Sequence, residues 1–273
     1  MTRILVRPPV PEDVSSWQEL GWHAEPDPAL LAAEHERFCA ALADADAEVI
    51  EARGEPGNLD SIYVYDPVLV TPRGAILLQP GKTARRGEPG ALAPDLPLDV
   101  VGRLEGDELA EGGDTVWLDD RTLLVGRTYR TNTAGIEALR RLLPEVEVLA
   151  FPLPHFHGRG EVLHLRSLLN PLTAALVVGY LPLMPVPLVE LLEARGIRVI
   201  EVPEEEFGTM GPNVLRLPSG PVLALAGNPV TRRRLEAASV EVVEYEGDEI
   251  SRKGDGGPTC LTLPVDFEAS DSS

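Results

Sequence analysis

An α/β fold assembled from repeated strand–strand–helix–strand units is predicted on three observations. Amphipathic helical segments open at four places with good start signals, and each is followed within a few residues by a β-rich run. The order recurs at intervals of roughly 50–60 residues, a spacing typical of repeat architectures. The 273 residues include 25 glycines and 26 prolines, the turn formers that many short elements need. The pattern fits such a repeat and equally an ordinary α/β sandwich.

Asp27 before Pro28 reads as an N-cap followed by a favourable first helical residue, with Leu31, His35, Phe38 and Leu42 on one face. Strands are predicted at 47–51, 62–65, 67–71 and 75–79, the last two joined by the turn Thr71-Pro72-Arg73-Gly74. The Pro- and Gly-rich stretch 80–101 fits worst and is expected to hold an irregular loop with a short helix. A hairpin follows at 115–118 and 122–126, turning through Asp119-Asp120. Asn132 opens the second helix, with Ile136, Leu139 and Leu143 inward, before a strand at 145–150. A strand at 174–178, a helix at 187–194 stopped by Gly196 and a strand at 197–202 come next. Strands at 213–217 and 221–226, a helix from Asn228-Pro229 and a strand at 240–245 complete the series.

Composition excludes some function classes. With 44 acidic and 24 basic residues the formal charge is −20, the opposite of the basic footprint that binds nucleic acid or anionic membranes. Hydrophobic residues make up 44%, enough for a packed core. The N-terminus lacks a long apolar segment, and the longest apolar stretch, around 172–186, is interrupted by Gly179, Pro182 and Pro185. A cytoplasmic protein with reduced thiols is expected, monomeric or homodimeric, with one catalytic domain over 1–265 and a polar, frayed tail over 266–273. Cys39 and Cys260 are the only cysteines, and no zinc-type spacing accompanies them.

Five segments could carry chemistry. Asp60 and Asp66 bracket a predicted strand at even spacing, which would put both on one face, and strand-end acids are usually solvated. Pro80-Gly81-Lys82-Thr83-Ala84-Arg85-Arg86-Gly87-Glu88 is a Gly-bounded loop whose paired arginines could grip a carboxylate or simply be solvated. Glu111-Gly112-Gly113-Asp114 combines close backbone approach with an acid on each side. His164 lies between two leucines, a setting as suited to a core histidine as to a catalyst, while His155 and His157 read as surface loop. Asp255-Gly256-Gly257-Pro258-Thr259-Cys260 bends just before an apolar strand and displays its thiol as a nucleophile would be. Cys39, beside the apolar face of a helix, reads as an inert core thiol.

Taken jointly, these segments and Arg130-Thr131-Asn132 resemble the dimethylarginine dimethylaminohydrolases, within the wider group of arginine deiminases and amidinotransferases (the pentein superfamily). The resemblance runs from Asp60 through Cys260. It implies a five-bladed α/β propeller of ββαβ units with the active site at its centre. It also implies hydrolysis of an N-omega-methylated arginine to citrulline and an alkylamine, without metal or organic cofactor. By the same resemblance, Cys260 attacks the guanidinium carbon to form a thiouronium, and His164 acts as acid and then base. Asp66 and Glu111 hold the guanidinium, with Glu111 also orienting the histidine or substrate. Asp60 lies near the amino-acid end, Arg85 and Arg130 clamp the α-carboxylate, and the backbone at Gly254 meets the α-amino group. The implied partner is a small arginine-like molecule.

Two positions depart from the family pattern. Tyr65 stands where dimethylarginine hydrolases usually carry Glu and arginine deiminases Arg. Arg166 stands where the former carry Lys and the latter the second guanidinium-binding Asp. A flap is expected near 17–28. The alternatives are a related hydrolase of arginine, citrulline or another guanidino or ureido compound, and an inert propeller like the ribosome anti-association factor. In the plainest reading, Cys260 is a structural thiol.

Overall fold

The computed structural model describes residues 2–53, 58–161 and 163–267. In chain order the elements are β1 (Thr2–Val6), α1 (Trp17–Leu20), α2 (Pro28–Asp44), β2 (Ala47–Glu51), β3 (Val68–Thr71), β4 (Gly74–Leu77), α3 (Glu88–Leu92), β5 (Val100–Arg103), β6 (Thr115–Asp119), β7 (Thr122–Arg127) and α4 (Thr133–Leu142). They continue with β8 (Glu147–Pro152), β9 (Leu169–Thr173), β10 (Leu176–Gly179), α5 (Val186–Ala194), β11 (Arg198–Glu201), α6 (Glu204–Phe207), β12 (Val214–Arg216), β13 (Val222–Leu225), α7 (Pro229–Ala237), β14 (Val242–Tyr245) and β15 (Leu263–Pro264).

Local chemistry explains the helix boundaries. The Asp27 carboxylate accepts from the backbone N–H groups of Ala29 and Leu30 at 2.8 and 3.0 Å, which satisfies donors that the first turn leaves open. Leu31, His35, Phe38 and Leu42 are the buried face of α2. Asn132 caps α4 through Gly135 at 2.8 Å. Gly135 has no room for a side chain, because a Cβ there would stand 2.0 Å from the Leu109 carbonyl oxygen. Beyond α5, Gly196 takes the left-handed conformation with φ of 66°, as a C-terminal glycine does.

The strands form five three-stranded sheets. In four of them a hairpin is followed by a helix and a third strand parallel to the middle one: β3-β4-β5, β6-β7-β8, β9-β10-β11 and β12-β13-β14. The remaining sheet, β15-β1-β2, is made from both ends of the described chain. Ile4 pairs with Pro264 and Leu5 with Leu263. Helix crossovers need the parallel pairing, and the result is a five-bladed α/β propeller.

The ring closes because the middle strands are apolar on both faces. Side chains alternate across a strand, and here the alternate faces enter different cores. Leu5 packs with Val68 and Leu77, while Ile4 and Val6 pack with Leu215 and Leu223. Likewise Leu123 and Val125 meet Leu69 and Ile76, whereas Leu124 meets Leu169 and Val177. Leu176 and Val178 join Val214 and Val222. Each of the five cores therefore joins two neighbouring blades. At ~25 cal/mol per Å² of apolar burial, this contact belongs to the ring rather than to any one blade.

Several expectations change. Residues 62–65 are no strand: Leu59–Ile62 is a 3₁₀ turn and the chain bends through 63–66. Asp60 and Asp66 are buried, each 4% exposed. The misfit stretch 80–101 does hold a short helix, α3, but also contributes the edge strand β5. β1 and β9 were not anticipated as strands. Within the expected frayed tail, Asp266 pairs with Arg3 at 2.5 Å and Phe267 packs edge-on against Trp117 at 5.0 Å; residues 268–273 lie outside the described residues.

Candidate active site

Cys260 sits on a turn three residues before β15, rather than on a strand. Its N–H donates to the Gly257 carbonyl at 3.0 Å. The side chain of Asn213, just before β12, holds this turn. Its Oδ1 accepts from the Thr259 N–H at 3.1 Å and hydroxyl at 2.9 Å, and its Nδ2 points at the Cys260 sulfur at 3.7 Å. Gly257 permits the contact, since a Cβ there would fall 2.4 Å from Asn213 Cγ. The thiol is raised to about 11, first by burial and then by the charge of Asp66. Cys39 is raised to about 12, again chiefly by burial, and its sulfur lies 3.6 Å from His35 Nδ1.

His164 caps the short turn before β9. Its Nε2 bonds Glu111 Oε2 at 2.8 Å, and its Nδ1 lies 4.0 Å from Asp66 Oδ1. Gly113 forms the wall beside the ring: a Cβ there would be 2.2 Å from Nδ1. Burial opposes the imidazolium, but Asp114, Asp66 and Glu111 outweigh it and raise His164 to about 9. Burial likewise opposes the Glu111 carboxylate, yet His164 and Arg130 hold it well below the usual range. Asp114, buried behind the histidine, is pushed up to about 6 by desolvation.

Asp66 is fixed from two sides. Its Oδ1 accepts from the Gly113 N–H at 2.9 Å and its Oδ2 from Arg85 Nη1 at 2.5 Å. Arg85 is 3% exposed and also donates to Glu88 and to the carbonyls of Asp60 and Tyr63. This revises the clamp role expected of Arg85: every guanidinium nitrogen is engaged inside the protein, so it orients Asp66 from behind. Arg130 does stand at the front, with Nη1 3.4 Å from Glu111 Oε1.

Above them lies α1 and the segment after it. Trp22 Nε1 donates to Asp60 Oδ1 at 2.8 Å, and Trp22 stacks on Tyr63 at 5.9 Å. Gly254 lies flush against this pair; a Cβ would meet the Tyr63 hydroxyl at 2.1 Å. Lys82 Nζ bonds Asp60 Oδ2 and the Leu20 carbonyl, and its backbone N–H donates to Glu111 at 3.2 Å. Tyr65 turns away to the rear, where Arg166 covers its ring at 4.4 Å and bonds its hydroxyl at 2.6 Å. Both line a separate cavity of about 190 Å³ that includes none of Cys260, His164, Glu111 or Asp66.

The fold thus gathers Cys260, His164, Glu111, Asp66, Asp60 and Arg130 from different blades. Asn213, Lys82, Trp22 and Tyr63 were not assigned roles from sequence, although Lys82 and Tyr63 lie inside two of the segments singled out. Ligand atoms of Asp66, Glu111 and His164 lie within 4.8 Å of one another, close enough for a cation. In this structure Arg85, the Gly113 N–H and the imidazole already serve those carboxylates.

The chain is similar to known proteins over most of its length. The family described as eukaryotic N,N dimethylarginine dimethylhydrolase matches residues 23–267. The N(G),N(G)-dimethylarginine dimethylaminohydrolase of Streptomyces coelicolor is 30% identical, with 87% of this chain and 86% of that one covered. Its Pseudomonas aeruginosa counterpart is 29% identical, covering 88% and 90%. A solved cysteine-to-serine mutant of the Pseudomonas aeruginosa enzyme, in complex with citrulline, superposes with a TM-score of 0.79 at 26% identity over 96% of this chain and 98% of that one. The arginine deiminase of Mycobacterium marinum is 32% identical over 57% of this chain and 46% of its own length. The chain belongs to the N,N-dimethylarginine dimethylhydrolase family and is a guanidino-group hydrolase of the pentein superfamily.

Proposed function

We propose that the protein is a cysteine-dependent hydrolase of N-omega-methylated arginine-type guanidino groups, releasing methylamine or dimethylamine and leaving the ureido product (citrulline from methylarginine). The observation that carries the reading is the Glu111–His164 bond at 2.8 Å beside Asp66. It offers two fixed carboxylates and a protonated imidazole around one point, and a planar guanidinium needs acceptors at its edge. As the guanidinium seats, the Cys260 thiol gives its proton to solvent, and the thiolate attacks the guanidinium carbon. The C–N bond to the methylated amine breaks as His164 delivers a proton to it. His164 then takes a proton from water, which attacks the thiouronium; the C–S bond breaks and the thiol is restored.

Asp66 is the charge that, after burial, raises the thiol. A guanidinium seated on Asp66 offsets that charge, which favours thiolate once substrate is bound. Arg166 supplies no carboxylate and is engaged with Tyr65, so the site favours a guanidinium with one alkylated nitrogen over the unsubstituted group. Both cysteines are free, which suits the reducing cytoplasm. The test is mass spectrometry after incubation with mono- and dimethylarginine, arginine and citrulline. Amine release with a transient adduct on Cys260 and none on Cys39 is expected. Turnover that survives Cys260→Ser would sink the reading.

A further inference from the structure

The front of the site carries a group that its family resemblance does not account for. On the proposed chemistry, a guanidinium seated at Glu111 and Asp66 would direct the rest of the substrate toward Arg130, away from the Tyr65–Arg166 pair. There it meets Arg130 and Lys82 together. Gly81 brings their loops into contact, since a Cβ on it would fall 2.7 Å from the Arg130 Cα. The carboxylate of Asp60 is engaged at both oxygens, Oδ1 by Trp22 and Oδ2 by Lys82. Lys82 Nζ also takes the Leu20 carbonyl at 2.5 Å. Its side chain is 19% exposed and that of Asp60 6%, so this is an enclosed pairing.

We propose that Lys82 is a specificity-determining residue whose ammonium fills the place an α-ammonium would take, so that the site prefers ω-methylguanidino acids lacking an α-amino group. An incoming ammonium would have to displace Lys82 from both Asp60 and the Leu20 carbonyl, or lie against it as a like charge. A carboxylate alone meets Arg130, paired with Glu111, and Lys82, paired with Asp60, and adds no like-charge contact with Lys82. The proposal rests on the guanidino chemistry above and concerns the opposite end of the molecule.

The test measures affinity by calorimetry in Cys260→Ser protein, which does not depend on turnover. The probes are Nω,Nω-dimethylarginine and the dimethylguanidino acid of the same chain length without the α-amino group. The des-amino acid is expected to bind about 10-fold tighter or more, as one like-charge contact in a partly enclosed site dictates. Adding Lys82→Ala, or separately Lys82→Gln, should reduce that ratio about 10-fold by strengthening the amino acid's binding. Tighter binding of the amino acid in the parent protein, or an unchanged ratio in both variants, overturns the proposal and leaves the guanidino chemistry intact. Failure of wild-type protein to release dimethylamine from either probe overturns the chemistry, while the binding ratio still decides the role of Lys82.

Discussion

Arg166 stacks its guanidinium on the ring of Tyr65 at 4.4 Å and donates to the same residue's hydroxyl at 2.6 Å. The two positions read from the sequence as departures from the family pattern are therefore one contact. Arg166 is also held by the Thr115 carbonyl at 3.2 Å and by Asn170 at 2.9 Å, and the Tyr65 N–H donates to the Cys260 carbonyl at 3.3 Å. The contact is thus one backbone hydrogen bond away from the thiol turn. In a double-mutant cycle with Tyr65→Phe and Arg166→Met, urea denaturation should give a coupling of ~1–2 kcal/mol, the sum expected for a hydrogen bond to a charged group and a cation–π contact. A coupling near zero would show that the two residues act independently.

Gly113 tests how tightly the acid–base group is placed. Gly113→Ala puts a methyl 2.2 Å from His164 Nδ1, where the ring and the Gly113 N–H bond to Asp66 leave no slack. The imidazole must leave Glu111, and kcat should fall ~100-fold or more, because a shift of about 1 Å in a positioned group costs that much. Circular dichroism should remain that of a folded protein. Activity within threefold of wild type, by steady-state assay, would show that the ring has another productive position.

Asn213→Ala removes the bridge between Thr259 and the sulfur. The Thr259 N–H and hydroxyl both lose their acceptor, and the thiolate loses a donor that lowers its pKa. The expected result is a drop in kcat of ~10-fold or more with KM within about twofold, the pattern for an interaction made to the reacting group rather than to bound substrate. Asn213→Asp should be worse, since it adds a negative charge beside the sulfur. A loss confined to KM would place Asn213 in substrate binding instead.

His164 couples the site to stability. Its pKa is raised to about 9 in the folded protein against an ordinary 6.5. Its contribution is therefore complete below pH 6.5 and fades as pH rises through about 9. Chemical denaturation from pH 6 to 10 should show stability falling across that window, and His164→Gln should flatten it. The thiol, raised to about 11, should react slowly with iodoacetamide at pH 7 in the free protein and faster as pH rises. If the His164→Gln and parent slopes coincide, the imidazolium is not what the site stabilises.

How far the sequence carried the reading depended on where each interaction lay in the chain. The middle strands were legible because both their faces are buried, so that Leu123-Leu124-Val125 and Leu176-Val177-Val178 read as unbroken apolar runs. Caps such as Asp27 and Asn132 were legible because donor and acceptor lie within three residues. The bend at 60–66 was not. Ser61-Ile62-Tyr63-Val64 has strand-forming side chains, but Arg85, about twenty residues on, draws the carbonyls of Asp60 and Tyr63 inward. β5 escaped notice because Val100 and Val101 are exposed on an edge, 41% and 39%, beside a proline-rich loop. Asn213 and Lys82 are ordinary polar residues in sequence, and only the closed ring brings them to Cys260 and Asp60.

The ring is fastened by its own ends. β15 pairs with β1 through two residue pairs, reinforced by Arg3–Asp266, and Cys260 stands three residues upstream of that seam. The proposed nucleophile is thus presented by the segment that leads into the seam, into a cage whose other members come from other blades. The contact of Asn213 with the sulfur is made across the same closure. The placement of the thiol turn is therefore tied to the closure of the ring.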